Sequence, residues 1–403
     1  MRRFLLCLAP ILLVCVNAGA EPKEERKVNC VYPGEVFQNA LGDFATQLGY
    51  TLELGEYEDT WELEQPIWVH AKGVPATRAA EMISASGGLR VDLSATARTI
   101  SLSEFDDDRL PATEVRSFKV EKLVREFLGY QKRYGRVRVG EEAPDLTYRP
   151  SGTEELRDAV EEILRLTETG GGGSALGMRL VYSRDATDIA KIAELLKLLE
   201  APGESEALRQ DRDNRAHMQS LRSEFAGADQ LVSAVLWQLF KDARIPVYID
   251  HSVIEALDFE YDTTRVPLRK DRTHYDALVE LAREQEFSVD SVNGALRLHS
   301  LDWMGSASYR VYDVSGLLAE LETEYAALKT DGSLEEGYRG DLRTEGGVEV
   351  VVNALEQQLD NAGHAPLIRA YGSRIVVVGG IDIVDRAGSI LTALGWNEGK
   401  EPK

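Results

Sequence analysis

The stretch Arg374 to Leu394, RIVVVGGIDIVDRAGSILTAL, decides how this chain is read, because Arg179 to Leu199, RLVYSRDATDIAKIAELLKLL, carries the same pattern 195 residues earlier. Arg179/Arg374, Val181/Val376, Leu196/Leu391 and Leu199/Leu394 are identical. Leu180/Ile375, Tyr182/Val377, Ile189/Val384 and Leu195/Ile390 keep apolar character without a gap. Each copy predicts a buried strand, a tight turn with a helix N-cap (Thr187 or Asp382), and a helix whose apolar residues recur at helical spacing. In the second copy that face is Val384, Ala387, Leu391 and Leu394, and Gly395 stands where a C-cap glycine belongs.

Working outward, the same register organises nearly the whole chain. Phe37, Ala40, Leu41, Phe44 and Ala45 line one helix face, and Val232, Val235, Leu236, Leu239 and Phe240 line another. Tyr50 to Leu54 is matched by Ile245 to Ile249, and Val74-Pro75 by Val266-Pro267. A helix and two short strands follow each Val-Pro, ending with Thr99 to Leu102 or Ala295 to Leu298. Farther on, Phe118, Val120, Leu123 and Val124 correspond to Tyr312, Val314, Leu317 and Leu318. The helices Glu154 to Leu166 and Val348 to Leu359 then pair off.

The expectation is an α+β fold in two tandem repeats of about 195 residues, each a small α/β module followed by a larger one; so long a period indicates duplicated domains, not a solenoid. The predicted boundaries are a signal peptide over 1–20, a flexible leader over 21–35, small modules over 36–103 and 230–300, larger modules over 112–200 and 307–396, and a tail over 397–403. A charged linker over 201–229 separates the repeats, and part of it can form an exposed connecting helix that leaves the mutual orientation of the halves to the linker.

MRRFLLCLAPILLVCVNAGA has the basic, apolar and small-residue regions of a secretory signal cleaved between Ala20 and Glu21, which predicts a periplasmic or secreted protein. The net charge of −22 excludes a concentrated phosphate-binding surface, so nucleic acid is not an expected partner. No later stretch is long and apolar enough to span a bilayer, so no stable membrane insertion is expected. After removal of Cys7 and Cys15 with the signal, Cys30 has no partner for an internal disulfide; it reads as an idle thiol in the leader, with pairing to another chain as the alternative.

The small modules, typified by VLWQLFKDARIPVYID and VPLRKDRTHYDALVELAREQEFSVDSVNGALRLHS, resemble the secretin and TonB N-terminus short (STN) domain, including its Val-Pro-Leu turn and the Ala277-Leu278 pair. The larger modules, opening with FKVEKLV or YDVSGLL, resemble the periplasmic α/β domains of secretins. The resemblance implies a fold and a tendency to bind other envelope proteins; it implies no binding residues, and the chain lacks the strand run of an outer-membrane barrel.

Chemical motifs are sparse. His70, His217, His251, His274, His299 and His364 have no metal-ligand spacing, and there is no G-x-S-x-G, phosphate loop, HExxH or dinucleotide fingerprint. Gly170 to Gly173 reads as a loop, Asp106 to Asp108 and Asp211 with Asp213 as solvated carboxylates, and Gly379-Gly380 as a tight turn. No catalytic residue, cofactor site or metal site is therefore expected. The functional expectation is a non-enzymatic adaptor of the cell envelope contacting a protein partner of unspecified identity. The alternatives are a binder of cell-wall or extracellular polymer and, third, a hydrolase. The sequence leaves oligomeric state open. Intact-mass measurement on protein from its own host should give a chain beginning at Glu21; retention of Met1 would remove the basis for the envelope localisation.

Overall fold

The computed structural model describes residues 26–58, 60–104, 114–134, 152–164, 166, 173–184, 186–222, 229–256, 265–267, 272–285, 287–292, 294–300, 308–331, 347–360 and 366–397. The predicted signal segment over 1–20, Asp106 to Asp108, Gly170 to Gly172, His364 and the end of the tail lie outside them.

The first small module runs β1 (Lys27–Val36), α1 (Phe37–Leu48), β2 (Thr51–Glu53), β3 (Pro66–Pro75), α2 (Ala76–Gly87), β4 (Arg90–Ser94) and β5 (Thr99–Ser103). Strand β1 corrects the flexible leader and the 36–103 boundary. Val28, Cys30 and Tyr32 alternate into the core, so Lys27 to Glu35, assigned to a mobile segment, belong to a strand antiparallel to β3. Cys30 is fully buried and burial pushes its thiol up to about 12, so the thiol read as lying idle in a flexible leader is part of the core. Helix α1 buries Phe37, Ala40, Leu41, Phe44, Ala45 and Leu48, and ends at Gly49 in the left-handed region (φ 64°), where a side chain would be strained.

The second small module has β9 (Asp229–Leu231), α7 (Val232–Ala243), β10 (Val247–Ile249), α8 (His251–Ala256), β11 (Arg265–Pro267), α9 (His274–Glu284), β12 (Phe287–Val292) and β13 (Ala295–Ser300). The sense of strand pairing recurs. An antiparallel pair, β1 with β3 or β9 with β11, accompanies a three-strand set, β2-β5-β4 or β10-β13-β12, in which the first pairing is parallel and the second antiparallel.

The modules are not independent. Strand β10 pairs antiparallel with β3, with Val247 opposite His70 and Tyr248 opposite Val69, so one five-stranded sheet of order β1-β3-β10-β13-β12 crosses both halves. Ile67, Val69 and Ala71 of β3 join the core beneath α1 and α2, whereas Trp68 joins Val235, Leu236 and Leu239 of α7. Alternation along one strand therefore ties two cores together.

The larger modules lie nearby as β6 (Glu114–Lys119), α3 (Glu121–Tyr134), α4 (Gly152–Ile163), β7 (Ser174–Leu176), β8 (Arg179–Arg184) and α5 (Ala186–Glu200), then, after α6 (Glu206–Ser220), as β14 (Tyr309–Asp313), α10 (Ser315–Asp331), α11 (Val348–Asp360), β15 (Leu367–Tyr371), β16 (Arg374–Val378) and α12 (Ile381–Ala393). Each makes a three-stranded antiparallel sheet, β6-β8-β7 and β14-β16-β15. The expected N-caps differ: Thr187 lies inside α5, and Gly380, not Asp382, precedes α12.

Helices α3, α4 and α5 sit between the two sheets. One cluster joins Leu123, Phe127, Leu156, Ile192 and Leu195 to Tyr309, Val311, Tyr371, Val376 and Val378 on the outer face of the second sheet. Phe127 stacks on Tyr371 with ring centroids 4.6 Å apart, and the Tyr371 hydroxyl donates to the Gly152 carbonyl at 3.0 Å. The 201–229 linker is likewise no free tether: α6 buries Leu208 and Met218, and Arg212 and Arg215 pair with Asp385 and Asp382 of α12.

Among the described residues no element packs on the equivalent outer face of the first sheet. Leu176 takes the place of Tyr371 and is 68% exposed; Ser117 and Ser183 replace Val311 and Val378. Tyr371→Ala should therefore cost about 3–5 kcal/mol in urea unfolding, as for other buried aromatics, whereas Leu176→Ala should stay within about 0.5 kcal/mol. Equal costs would show that the stacking of the halves is misplaced.

Candidate functional site

Two places bring polar groups together. The first is the junction of α2, the β12-β13 hairpin and α6. Arg297 on β13 makes a two-pronged pair with Asp290 on β12, Nε to Oδ1 at 3.0 Å and Nη2 to Oδ2 at 2.6 Å, and both side chains are almost wholly buried. His299 Nε2 lies 3.6 Å from the same Asp290 Oδ2, and Tyr248 stands opposite Arg297 on β10. Burial holds the Tyr248 phenol protonated far above its ordinary range.

From the first half, α2 extends Arg78 toward this hairpin. Gly294, with φ 74°, is required there: a Cβ would come within 3.2 Å of both Arg78 Nη2 and Gln210 Oε1. Burial lowers the Arg78 guanidinium, whose Nε and Nη2 are enclosed without a hydrogen-bond partner. From α6, Asn214 Nδ2 donates to Ser291 Oγ at 3.0 Å. Asp211, which the sequence reading placed in solvent beside Asp213, is half-buried at the same spot; burial pushes it up to about 6, against the opposing effects of Ser291 and Arg215. Chemically this is a charge-paired lock in which one buried carboxylate satisfies one guanidinium. Asp290 is committed to Arg297.

The histidines are dispersed. His70 is buried in β3 at 5.2 Å from the Trp237 ring, and burial followed by Lys72 lowers it. His274 is buried at the start of α9 and is also lowered by burial, with Asp242 acting the other way. His251 is half-buried at the start of α8 and His217 is exposed on α6, so of these only His299 joins the lock. Gly173 is not a loop cradle: its N–H donates to Glu161 Oε1 at 2.8 Å, and a Cβ would strike Tyr182. Among the described residues no group of three or more His, Cys, Asp or Glu is placed to hold a metal, and no helix is long and apolar enough to cross a membrane.

The second place is a pair of corresponding sheet edges. In the second larger module, Gly203 to Ser205 lies along β14 as an added piece of strand, with Glu204 opposite Arg310 in antiparallel sense. In the first, β6 is the edge strand, and its residues are almost all exposed. The sequence held a signal for this site: Val115-Arg116-Ser117-Phe118 aligns with Tyr309-Arg310-Val311-Tyr312 at an offset of 194.

Comparison with family models, with curated proteins and with solved structures gave no match.

Because the folded state raises the Asp211 pKa from 3.8 to about 6, it favours the protonated acid. That contribution is fully present below about 3.8 and is lost as pH rises through about 6. Asp211→Asn should thus raise the urea midpoint at pH 7.5 relative to the parent and lose that advantage at pH 3.5. An advantage of equal size at both pH values would contradict the buried carboxylate.

Proposed function

We propose that this chain is a non-enzymatic adaptor of the bacterial cell envelope, periplasmic or secreted, that binds another envelope protein through modules akin to STN and secretin α/β domains. The observation that carries the reading is the way the chain joins its own parts. The β3-β10 pairing and the seating of Gly203 to Ser205 on β14 are both strand additions, and α3 to α5 cover the neighbouring module's sheet. Units whose edges and faces associate in this manner are suited to joining one protein to another.

The polymer-binding reading would be supported by exposed aromatic rings converging on a cleft. Among the described residues Trp61 is an exposed aromatic that stands apart from such a group. The charged lock at Asp290 and Arg297 supports a structural role, since the pair is satisfied within the protein.

In intact host cells, crosslinking of the full mature chain should capture one envelope protein in a fixed ratio, and the purified chain should remain in the supernatant when mixed with insoluble cell-wall polymer. Sedimentation with the polymer, without capture of a protein, would reverse the order of the two readings.

A further inference from the structure

The two larger modules differ at one sheet edge, and the occupied copy shows what fits the open one. At β14 the Ser205 N–H donates to the Tyr309 carbonyl at 2.9 Å, and the Gly203 carbonyl accepts from the Val311 N–H at 2.8 Å. Between them Glu204 Oε1 lies 3.2 Å from Arg310 Nη1. Arg310 is held for this contact by stacking over Tyr312, 5.0 Å from the ring centroid.

Strand β6 repeats these features with no occupant among the described residues. Arg116 stands at the position of Arg310 and lies over Phe118 at 5.7 Å, as Arg310 lies over Tyr312. Val115 and Ser117 stand where Tyr309 and Val311 receive the added strand, in the same register against β8 that Tyr309 and Val311 have against β16. Among the described residues β6 has β8 as its one neighbour strand, and Arg116 meets no carboxylate. The exposed Lys119 and Arg179, paired across the outer face, add positive charge in a chain whose net charge is −22.

We propose that the outer edge of β6 is a docking site for an extended acidic segment of a partner protein, which adds as an antiparallel strand with a Glu or Asp opposite Arg116. The proposal rests on the adaptor reading above and names its point of contact. Main-chain bonds to Val115 and Ser117 supply affinity, and the carboxylate facing Arg116 supplies selectivity. A second copy of this chain is the poorer occupant, because its own Gly203 to Ser205 is already seated on β14 and two strongly acidic chains repel.

The test uses the full mature chain and, as probe, a synthetic peptide of Leu199 to Leu208, LEAPGESEAL, followed in amide NMR spectra. The Val115 and Ser117 resonances should shift saturably, and a peptide with Lys in place of the first Glu after Gly should bind about tenfold more weakly. Arg116→Glu should reverse that preference. Ser117→Pro removes the outward N–H while sparing the ladder to β8, and should abolish the shifts. Shifts that survive Ser117→Pro, equal binding of the two peptides, or no shifts at all would overturn the proposal. If Ser117→Pro lowers the urea midpoint, the charge reversal at Arg116 decides. In cells, equal capture of the protein partner by parent and Ser117→Pro would reject the edge while sparing the adaptor reading. Peptide binding at β6 without any partner captured would reject the adaptor reading alone.

Discussion

The antiparallel contact of β3 with β10 is the constraint on which the architecture rests. Two residue pairs, Val247 with His70 and Tyr248 with Val69, convert two small sheets into one, and the alternating side chains of β3 then serve two cores. Helices α3 to α5 come to cover the outer face of β14-β16-β15, and α6 spans from the β12 edge to α12 through Arg212 and Arg215. Charged pairs at this last contact are partly exposed and contribute little by themselves. The apolar stacking around Phe127 and Tyr371 contributes more, because it removes aromatic area from water on both sides.

The buried charges follow from the same geometry. Tyr248 and Ala295 lie on the face that α2 covers, and toward β12 this face turns polar, with Arg297 paired to Asp290 and His299 beside it. Arg78 arrives from the first half and Gln210 and Asp211 from α6, so two separate stretches of chain meet over one hairpin. Removing Asp290 alone would strand a buried guanidinium, which is costlier than the net contribution of the pair. Such a cluster specifies how the halves meet more than it strengthens them.

Much of this fold was legible in the sequence where signals are local. The apolar spacing of Phe37 to Leu48 and the strand-helix stretches at Arg179 and Arg374 follow helix and strand periods directly, and the α+β class follows from their order. Strand β1 was hidden because its alternation, Val28, Cys30 and Tyr32, is brief and follows a charged run. The β3-β10 contact was hidden because pairing across 170 or more residues leaves no periodic trace. Asp211 was misread since a carboxylate within a charged helix gives no sign of facing Ser291. The exposed outer face was within reach: Ser117 and Ser183 stand where the covered copy has Val311 and Val378, and serine in place of valine marks the face that meets water.

The two halves form one body through the crossing sheet and the shared helical layer. Native-state hydrogen exchange on the chain from Glu21 onward tests this most directly, by comparing the amides of β3 and β10 with those of β16 over a range of low urea concentrations. The account predicts that all three converge on one opening free energy, that of global unfolding. Opening of β3 at a clearly lower free energy than β16, with its own urea dependence, would show that the halves fold separately and contradict the account.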